Sequence, residues 1–423
     1  MTRVQAWVAA RTLDLGGGPF GELVEWLARL LCDVRFLDLS PYGDAASSGS
    51  GVSSSTAFVK WALRDSGEGL SREVESRSEI GWHHMGNALL SASRRGGFVV
   101  KGDLLCHPSL FPHSAVPKYS FPGNEVGGIL AQRGKRLAVK APAPRAHLER
   151  GIFVGAMAPH NWFHWTIDTI PTVWALQQLP DLYADYPLLL PQIETSKSSW
   201  IEALELVRND RKVFWCEPDE FFSVEDLVVF DGLTACHPRV HGTSVSPRVS
   251  LRQEEMRAYR SEILNRLRIR SRVVRGKRYF LARRPSDARN YNQEEVWKVL
   301  QQFDFKLVFL DDLTYAESIQ LFASAEVLAG PHGAGWAGLL FSPQETQCVF
   351  WGWRDTRGDN WYENLAGLAG VGWSHILVQT AERRDVSRKG DPRQESYYCD
   401  PREIETALER ILLPGPPNTA SAR

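Results

Sequence analysis

The sequence predicts an α/β protein built on parallel sheet and divided into two units. Three observations carry that reading. From Gly151 onward, short apolar runs alternate with stretches of helical length, the pattern of parallel strands covered on both faces. The alternation is interrupted once, by a long basic stretch that ends near residue 270, and then resumes. Finally, 423 residues exceed what one core ordinarily fills, while 43% hydrophobic and 23% charged residues are the proportions of a globular chain.

Taken in order, the first third is irregular and rich in turns. "GELVEWLARLL" (Gly21 to Leu31) has an amphipathic helical pattern, and "SPYGDAASSGSGVSSS" (Ser40 to Ser55) reads as a Ser/Gly loop. "GGILAQRGKRLAV" reads as a hairpin. At Gly151 the character changes: strand "GIFVGAM", a turn over Pro159 to Asn161, and a helix through "FHWTIDTIPTVWALQQL". Strand "YPLLLP", helix "SWIEALELV" and strand "KVFWC" follow. "SPRVSLRQEEMRAYRSEILNRL" (Ser246 to Leu267) reads as one long basic helix leading into "SRVVRGKRYFLARR". Beyond it, "RYFLAR", "FKLVFL", "EVLAG", "TQCVFWGW" and "GWSHILVQ" are strands. "NQEEVWKVLQQF", "TYAESIQLFASA", "AGWAGLLF" and "WYENLAGLAG" are the helices between them, a doubly wound arrangement of Rossmann type. The expected division is residues 1–270, irregular and β-rich to 150 and Rossmann-like from 151. A Rossmann-like unit over 271–385 follows, then a helix ("DPREIETALERIL") and disordered tail over 386–423.

Composition excludes some functions. A formal net charge of -1 is not that of a nucleic-acid binder. Six scattered cysteines without a CxxC pair suit reduced thiols in a cytosolic protein. The first twenty residues do not read as a signal peptide, and no run approaches the ~20 apolar residues that span a bilayer. The expected location is cytoplasmic, with peripheral membrane contact at the cytoplasmic face open to the amphipathic Gly21–Leu31 segment. Fifteen tryptophans would suit sugar rings, but tryptophan mostly fills cores and interfaces.

Three stretches hold the residues that could do chemistry. In "PHNWFHWTIDTIP", His160, His164 and Asp168 recur every four residues, the spacing of one helical face. Three such groups could bind a metal, but Asn161 is a good N-cap, which leaves His160 in the preceding turn. His164 and Asp168 remain one turn apart, as a proton-handling pair or as a buried anchor. In "VLAGPHGAGWAGLLF" (Val327 to Phe341) a strand runs through a Gly-rich turn into a helix. Such a turn either holds a phosphate or is a tight strand-to-helix connection. In "YFLARRPSDARNYNQEE", Arg283 and Arg284 emerge at a strand end, with Arg289 and Asn292 in the next loop, a cluster suited to diphosphate oxygens or simply a solvated basic loop.

In order, "NWFHWTID", "FLARRPSDARNYNQEE", "LFASAEVLAGPHGAGWAGLLF" and "NLAGLAGVGW" resemble the glycosyltransferase family 61 group, the DUF563 proteins. The resemblance covers Gly151 to the tail. It implies a GT-B-like architecture, two Rossmann-like domains facing a central cleft, and an inverting transfer of sugar from a nucleotide-diphosphate donor to a glycan or lipid-linked acceptor, in capsule or exopolysaccharide synthesis. The nucleotide sugar would be a co-substrate, with no other cofactor. By the same resemblance, Asp168 or His164 would be the base, and Arg283, His332 and the Gly333, Ala334 and Gly335 backbone would meet the diphosphate. Arg289 and Asn292 would position the donor. No aspartate is followed by another two positions on, which supports leaving-group stabilisation without a metal. Phe350 stands where the family leads one to expect an acidic residue, and could stack on a base or sugar. A non-catalytic nucleotide-sugar or glycan-binding module and a metal-dependent hydrolase on His160, His164 and Asp168 are the alternatives.

Overall fold

The computed structural model describes residues 34–39, 51–63, 70–91, 97–106, 129–133, 136–140, 142–154, 158–193, 198–218, 220–230, 232–241, 244–286, 289–352, 360–380 and 396–413. The helix expected over Gly21–Leu31, residues 40–50 of the expected Ser/Gly loop and the tail after Leu413 lie outside them, while Gly51–Ser55 of that loop is strand. The fold is mixed α/β. It forms two compact units, Met1–Val59 with Val74–Tyr259 and Arg357–Asp359, and Lys60–Glu73 with Arg260–Thr356 and Asn360–Arg423.

The larger sheet has thirteen strands. They are β1 (Val34–Leu39), β2 (Gly51–Leu63), β3 (Leu70–Ser91), β4 (Phe98–Lys101), β5 (Leu104–Cys106), β6 (Ile129–Arg133) and β7 (Arg136–Lys140), then β8 (Ala146–Val154), β9 (Leu188–Pro191), β10 (Val213–Cys216), β11 (Phe221–Phe230), β12 (Thr234–His241) and β13 (Ser244–Arg252). The main path runs β10-β9-β8-β11-β3-β4-β5-β1-β7-β6. β6 and β7 form the antiparallel hairpin that "GGILAQRGKRLAV" predicts. β8, β9, β10 and β11 are all parallel, and in chain order they lie 3-2-1-4, as in half of a Rossmann sheet. β9, "LLLP", is buried throughout, as a parallel strand covered on both faces must be. Met85, Leu90, Phe153, Leu189, Phe222 and Leu227 belong to this unit's core, each worth about 1.5–3 kcal/mol relative to exposure.

Helical turns α1 (Trp162–His164) and α2 (Ile170–Ala175) follow β8, joined by a π turn over Trp165–Thr169, and α3 (Ser198–Glu205) follows β9. α4 (Gln253–Arg266) follows β13. The sequence reading of one helix over Ser246 to Leu267 is therefore corrected. Ser246–Arg252 belongs to β13, which pairs antiparallel with β12, and Val249, Ser250, Leu251 and Arg252 are all buried. Glu254 and Glu255 then suit the first turn of α4.

The second unit holds a five-stranded, wholly parallel sheet of β14 (Arg278–Leu281), β15 (Lys306–Val308), β16 (Val327–Pro331), β17 (Gln347–Gly352) and β18 (Gly372–Leu377). Their spatial order is β15-β14-β16-β17-β18, or 2-1-3-4-5 in chain order, a doubly wound arrangement. α5 (Gln293–Gln302), α6 (Tyr315–Phe322) and α7 (Trp361–Ala369) alternate with the strands. A short pair, β19 (Gln379–Thr380) and β20 (Tyr397–Tyr398), precedes α8 (Pro401–Leu412). Phe280, Val327, Val349 and Trp351 from the sheet pack with Val296, Leu300, Ile404 and Leu408 from the helices.

"AGWAGLLF" forms an eight-residue 3-10 helix, Ala334–Phe341, where the sequence predicts an ordinary helix. With three residues per turn, Gly335 and Gly338 fall on one face. A Cβ on Gly338 would lie 2.2 Å from the Phe322 ring, and one on Gly335 would lie 2.4 Å from Leu310 Cδ1. Among the described residues no helix is long and apolar enough to cross a membrane.

Candidate functional site

Each unit gathers polar side chains beyond the carboxyl ends of its parallel strands, at the point where strand order reverses. There the two connections leave in opposite directions and open a crevice.

In the first unit that point lies between β8 and β11. After β8, Asn161 caps the helical segment, its side chain accepting from the Phe163 N–H at 2.9 Å. His160 therefore stays in the exposed preceding turn. Pro171 has no N–H to give the helix and its ring crowds the preceding turn, and the widened π turn stands immediately before it. In that turn the Ile170 N–H reaches back to the Trp165 carbonyl. Asp168, buried in the π turn, holds His164 Nδ1 on Oδ2 at 2.6 Å. Its Oδ1 accepts from the Thr234 hydroxyl, also at 2.6 Å. Thr234 opens β12, directly after β11, so the pair is closed across the strand-order reversal. Thr172 donates to the Asp168 carbonyl at 2.6 Å and receives the Leu233 N–H at 3.4 Å, tying the same two connections together.

The side chain of His164 is 15% exposed and that of Asp168 only 4%. A carboxylate engaged on both oxygens fixes the orientation and tautomer of the imidazole it holds. The metal-binding alternative is not assembled here, because His160 sits outside the pair. Among the described residues no group of three His, Cys, Asp or Glu side chains is placed to hold a metal.

In the second unit the reversal lies between β14 and β16. Gly330 permits the close approach of these strands, since a Cβ there would lie 3.0 Å from Leu281 Cβ and 3.2 Å from the Leu281 carbonyl oxygen. Arg283 and His332 stand just past the two strand ends, and Arg283 Nη1 donates to the His332 carbonyl at 3.2 Å. Gly333 adjoins them, its virtual Cβ 3.9 Å from Arg283 Nη1. The His332 N–H donates to the Trp351 carbonyl at 2.8 Å, and its ring meets Tyr362 edge-on at 5.1 Å. Ala334 and Gly335 begin the 3-10 helix, which Trp336 Nε1 ties back to the Pro331 carbonyl at 2.9 Å. The glycine at 335 answers Leu310, whereas the one at 333 borders the Arg283 guanidinium.

Sequence reasoning missed the residue that fixes Arg283. Gln293, at the start of α5, clasps the Arg283 backbone from both sides. Its Oε1 accepts the Arg283 N–H at 2.8 Å and its Nε2 donates to the Arg283 carbonyl at 2.9 Å. The Tyr291 hydroxyl donates to the same Oε1 at 3.0 Å. Tyr291 stacks on Tyr397 at 5.2 Å. Burial pushes both phenols well above their ordinary range, and the Arg283 charge pulls the other way. Arg289, in the left-handed conformation at φ 59°, also acts electrostatically on Tyr397, which brings it into the same neighbourhood as Arg283.

Three expectations change. The Asn292 amide is bound to the Cys399 backbone, Nδ2 to its carbonyl and Oδ1 from its N–H, both at 3.0 Å, and it latches the chain before α8 rather than reaching toward a donor. Arg284 turns away to pair with both oxygens of Asp312 and lies over the Phe309 ring. Phe350 is 2% exposed, stacked on Trp373 at 5.0 Å and edge-on to His375 at 4.8 Å, so its ring is core and does not meet a base or sugar. Trp165, Trp336 and Trp351 are likewise buried.

A family model described as Glycosyltransferase 61 matches residues 162–349, from the first residue of α1 into β17. The matched span includes His164, Asp168, Thr234, Arg283, Gln293 and His332. No curated protein matches the chain.

Proposed function

We propose that this chain, which belongs to glycosyltransferase family 61 over residues 162–349, moves a sugar from a nucleotide-diphosphate donor to a glycan or lipid-linked acceptor, with inversion at the anomeric carbon and no resident metal. The reading rests on what stands at the strand-order reversal of each unit taken by itself. One holds a carboxylate-backed imidazole and the other an arginine beside a glycine turn.

The acceptor hydroxyl gives its proton to His164. Because Nδ1 is held by Asp168, proton uptake runs through Nε2. The acceptor oxygen then forms its bond to the anomeric carbon as the bond from that carbon to the diphosphate oxygen breaks. The diphosphate leaves with the bonding pair. Asp168, positioned by Thr234, stabilises the imidazolium that results. Arg283, with the His332–Gly333 turn, meets the charge that builds on the departing diphosphate. Parallel α/β layers in both units support a GT-B-like organisation, and synthesis of a surface or exported polysaccharide is the setting proposed for it.

Calorimetry against UDP, GDP, CMP and their sugars tests the donor half, and absence of binding to all of them refutes it. Asp168→Asn tests the base half. Transfer should fall by roughly 100-fold or more while nucleotide affinity stays as in the parent chain. Unchanged turnover would remove the pair from the mechanism.

A further inference from the structure

The basic stretch between α4 and β14 plays no part in either site. From Arg266 to Arg278, "RLRIRSRVVRGKR" carries seven cationic residues and no acidic one, in a chain whose formal net charge is -1. The two ends are neutralised locally, Arg266 by Glu262 at 2.7 Å and Arg278 by Glu326 at 3.1 Å. Between them Arg268, Arg270, Arg272 and Arg275 are exposed, and none makes an ion pair among the described residues.

The intervening residues fix the direction of that charge. Ile269, Ser271 and Val273 are partly buried while Arg270 and Arg272 between them are exposed, the alternation of a short extended stretch that does not continue through Val274. Ser271 donates to the Phe341 carbonyl at 3.1 Å, and the Arg272 and Val274 N–H groups donate to the Ala323 and Ser324 carbonyls at 2.9 and 3.0 Å. One side of the segment is thus secured to its own unit and the other presents the arginines, with Arg270 and Arg272 two residues apart in extended chain and Arg268 and Arg275 in the turns at either end.

We propose that this strip docks an acidic polysaccharide, a polymer bearing carboxylates on successive sugars. The exposed cations of the stretch, these four and the ion-paired Arg266, are all arginines, which grip carboxylates through paired N–H groups where lysine offers a point charge. No aromatic side chain interrupts the strip, as stacking on nucleic-acid bases would require. Its apolar members, Leu267, Ile269, Val273 and Val274, are partly buried and none is fully exposed, which gives little for insertion into a bilayer. The choice of a glycan among polyanions rests on the transferase reading; the cationic strip itself does not.

The test compares the full chain with R268S/R270S/R272S/R275S, whose changes lie on exposed side chains, and circular dichroism confirms that both fold. Binding is measured to polyuronate and to dextran of equal size, to phosphatidylglycerol vesicles and to a single-stranded DNA oligomer, over a salt series, with nucleotide titrations in parallel. The expected result is salt-sensitive polyuronate binding that the variant weakens by about 100-fold, weaker binding to the other three, and equal nucleotide affinity in both chains. Polyuronate binding that ignores the substitutions overturns the proposal, as does equal binding to dextran or preferential binding to vesicles or DNA. If neither chain binds any nucleotide, the transferase reading fails, while arginine-dependent polyuronate binding still upholds the strip.

Discussion

Gln293 and Asn292 are adjacent in the sequence and do different work. Both side chains are amides, and each bonds a backbone in two places, Gln293 at Arg283 and Asn292 at Cys399. Neither pairing has a local signal, since the partners lie 10 and 107 positions away. The motif that drew attention to this loop therefore selected the structural amide and passed over the one that holds Arg283. Thr234 escaped notice for the same reason, meeting Asp168 from 66 residues away. The His164–Asp168 pair, by contrast, was legible because four residues of helix bring it together without help from the rest of the chain. The two amides can be told apart by substitution. On the proposed transferase reading, Gln293→Ala should weaken donor-nucleotide affinity by up to about 30-fold, because two net hydrogen bonds of about 1 kcal/mol each orient the arginine. Asn292→Ala should instead lower stability by about 1–3 kcal/mol in urea titrations and leave that affinity nearly unchanged. The reverse pattern would exchange their roles.

The elements of the second unit were legible almost throughout, because buried parallel strands and amphipathic helices write their periods directly into the sequence. One element there was not, and one in the first unit was not either. Ser246–Arg252 reads as basic and continuous with α4, and only pairing with β12 makes it a strand. The 3-10 helix after β16 depends on neighbours that local sequence does not name, Leu310 and Phe322. Its two glycines are therefore packing residues, and one substitution checks this. Gly338→Ala would drive a methyl group into the Phe322 ring, 2.2 Å from the virtual Cβ. Stability should fall by about 1–3 kcal/mol, measured by urea unfolding, as overpacked cores do. Gly333→Ala meets nothing closer than 3.8 Å, so its effect on stability should be smaller and it serves as the control. Equal losses at both positions would mean that backbone freedom, and not space, is what the glycines supply.

At the scale of the molecule, the strand orders 3-2-1-4 and 2-1-3-4-5 decide where chemistry can sit, and neither order is written in any one segment. The same burial that builds these layers also sets how the chain responds to base. Cys216 and Cys399 are buried thiols pushed up to about 12 by desolvation. Tyr186 rises to about 12 as well, through burial first and then its hydrogen bond to Asp226. Tyr183, Tyr279, Tyr291 and Tyr397 move in the same direction, burial leading in each. In every case the neutral form is the one the fold favours. Its contribution is whole below the ordinary values of 9.0 for a thiol and 10.0 for a phenol, and is lost as pH rises toward the folded-state values. The urea midpoint should therefore fall steadily from about pH 9 to 12. Tyr186→Phe should flatten part of that decline in the first unit, because a ring without a hydroxyl has no proton to lose. A midpoint that holds level to pH 12 would show that these groups are as wet in the folded chain as in the unfolded one.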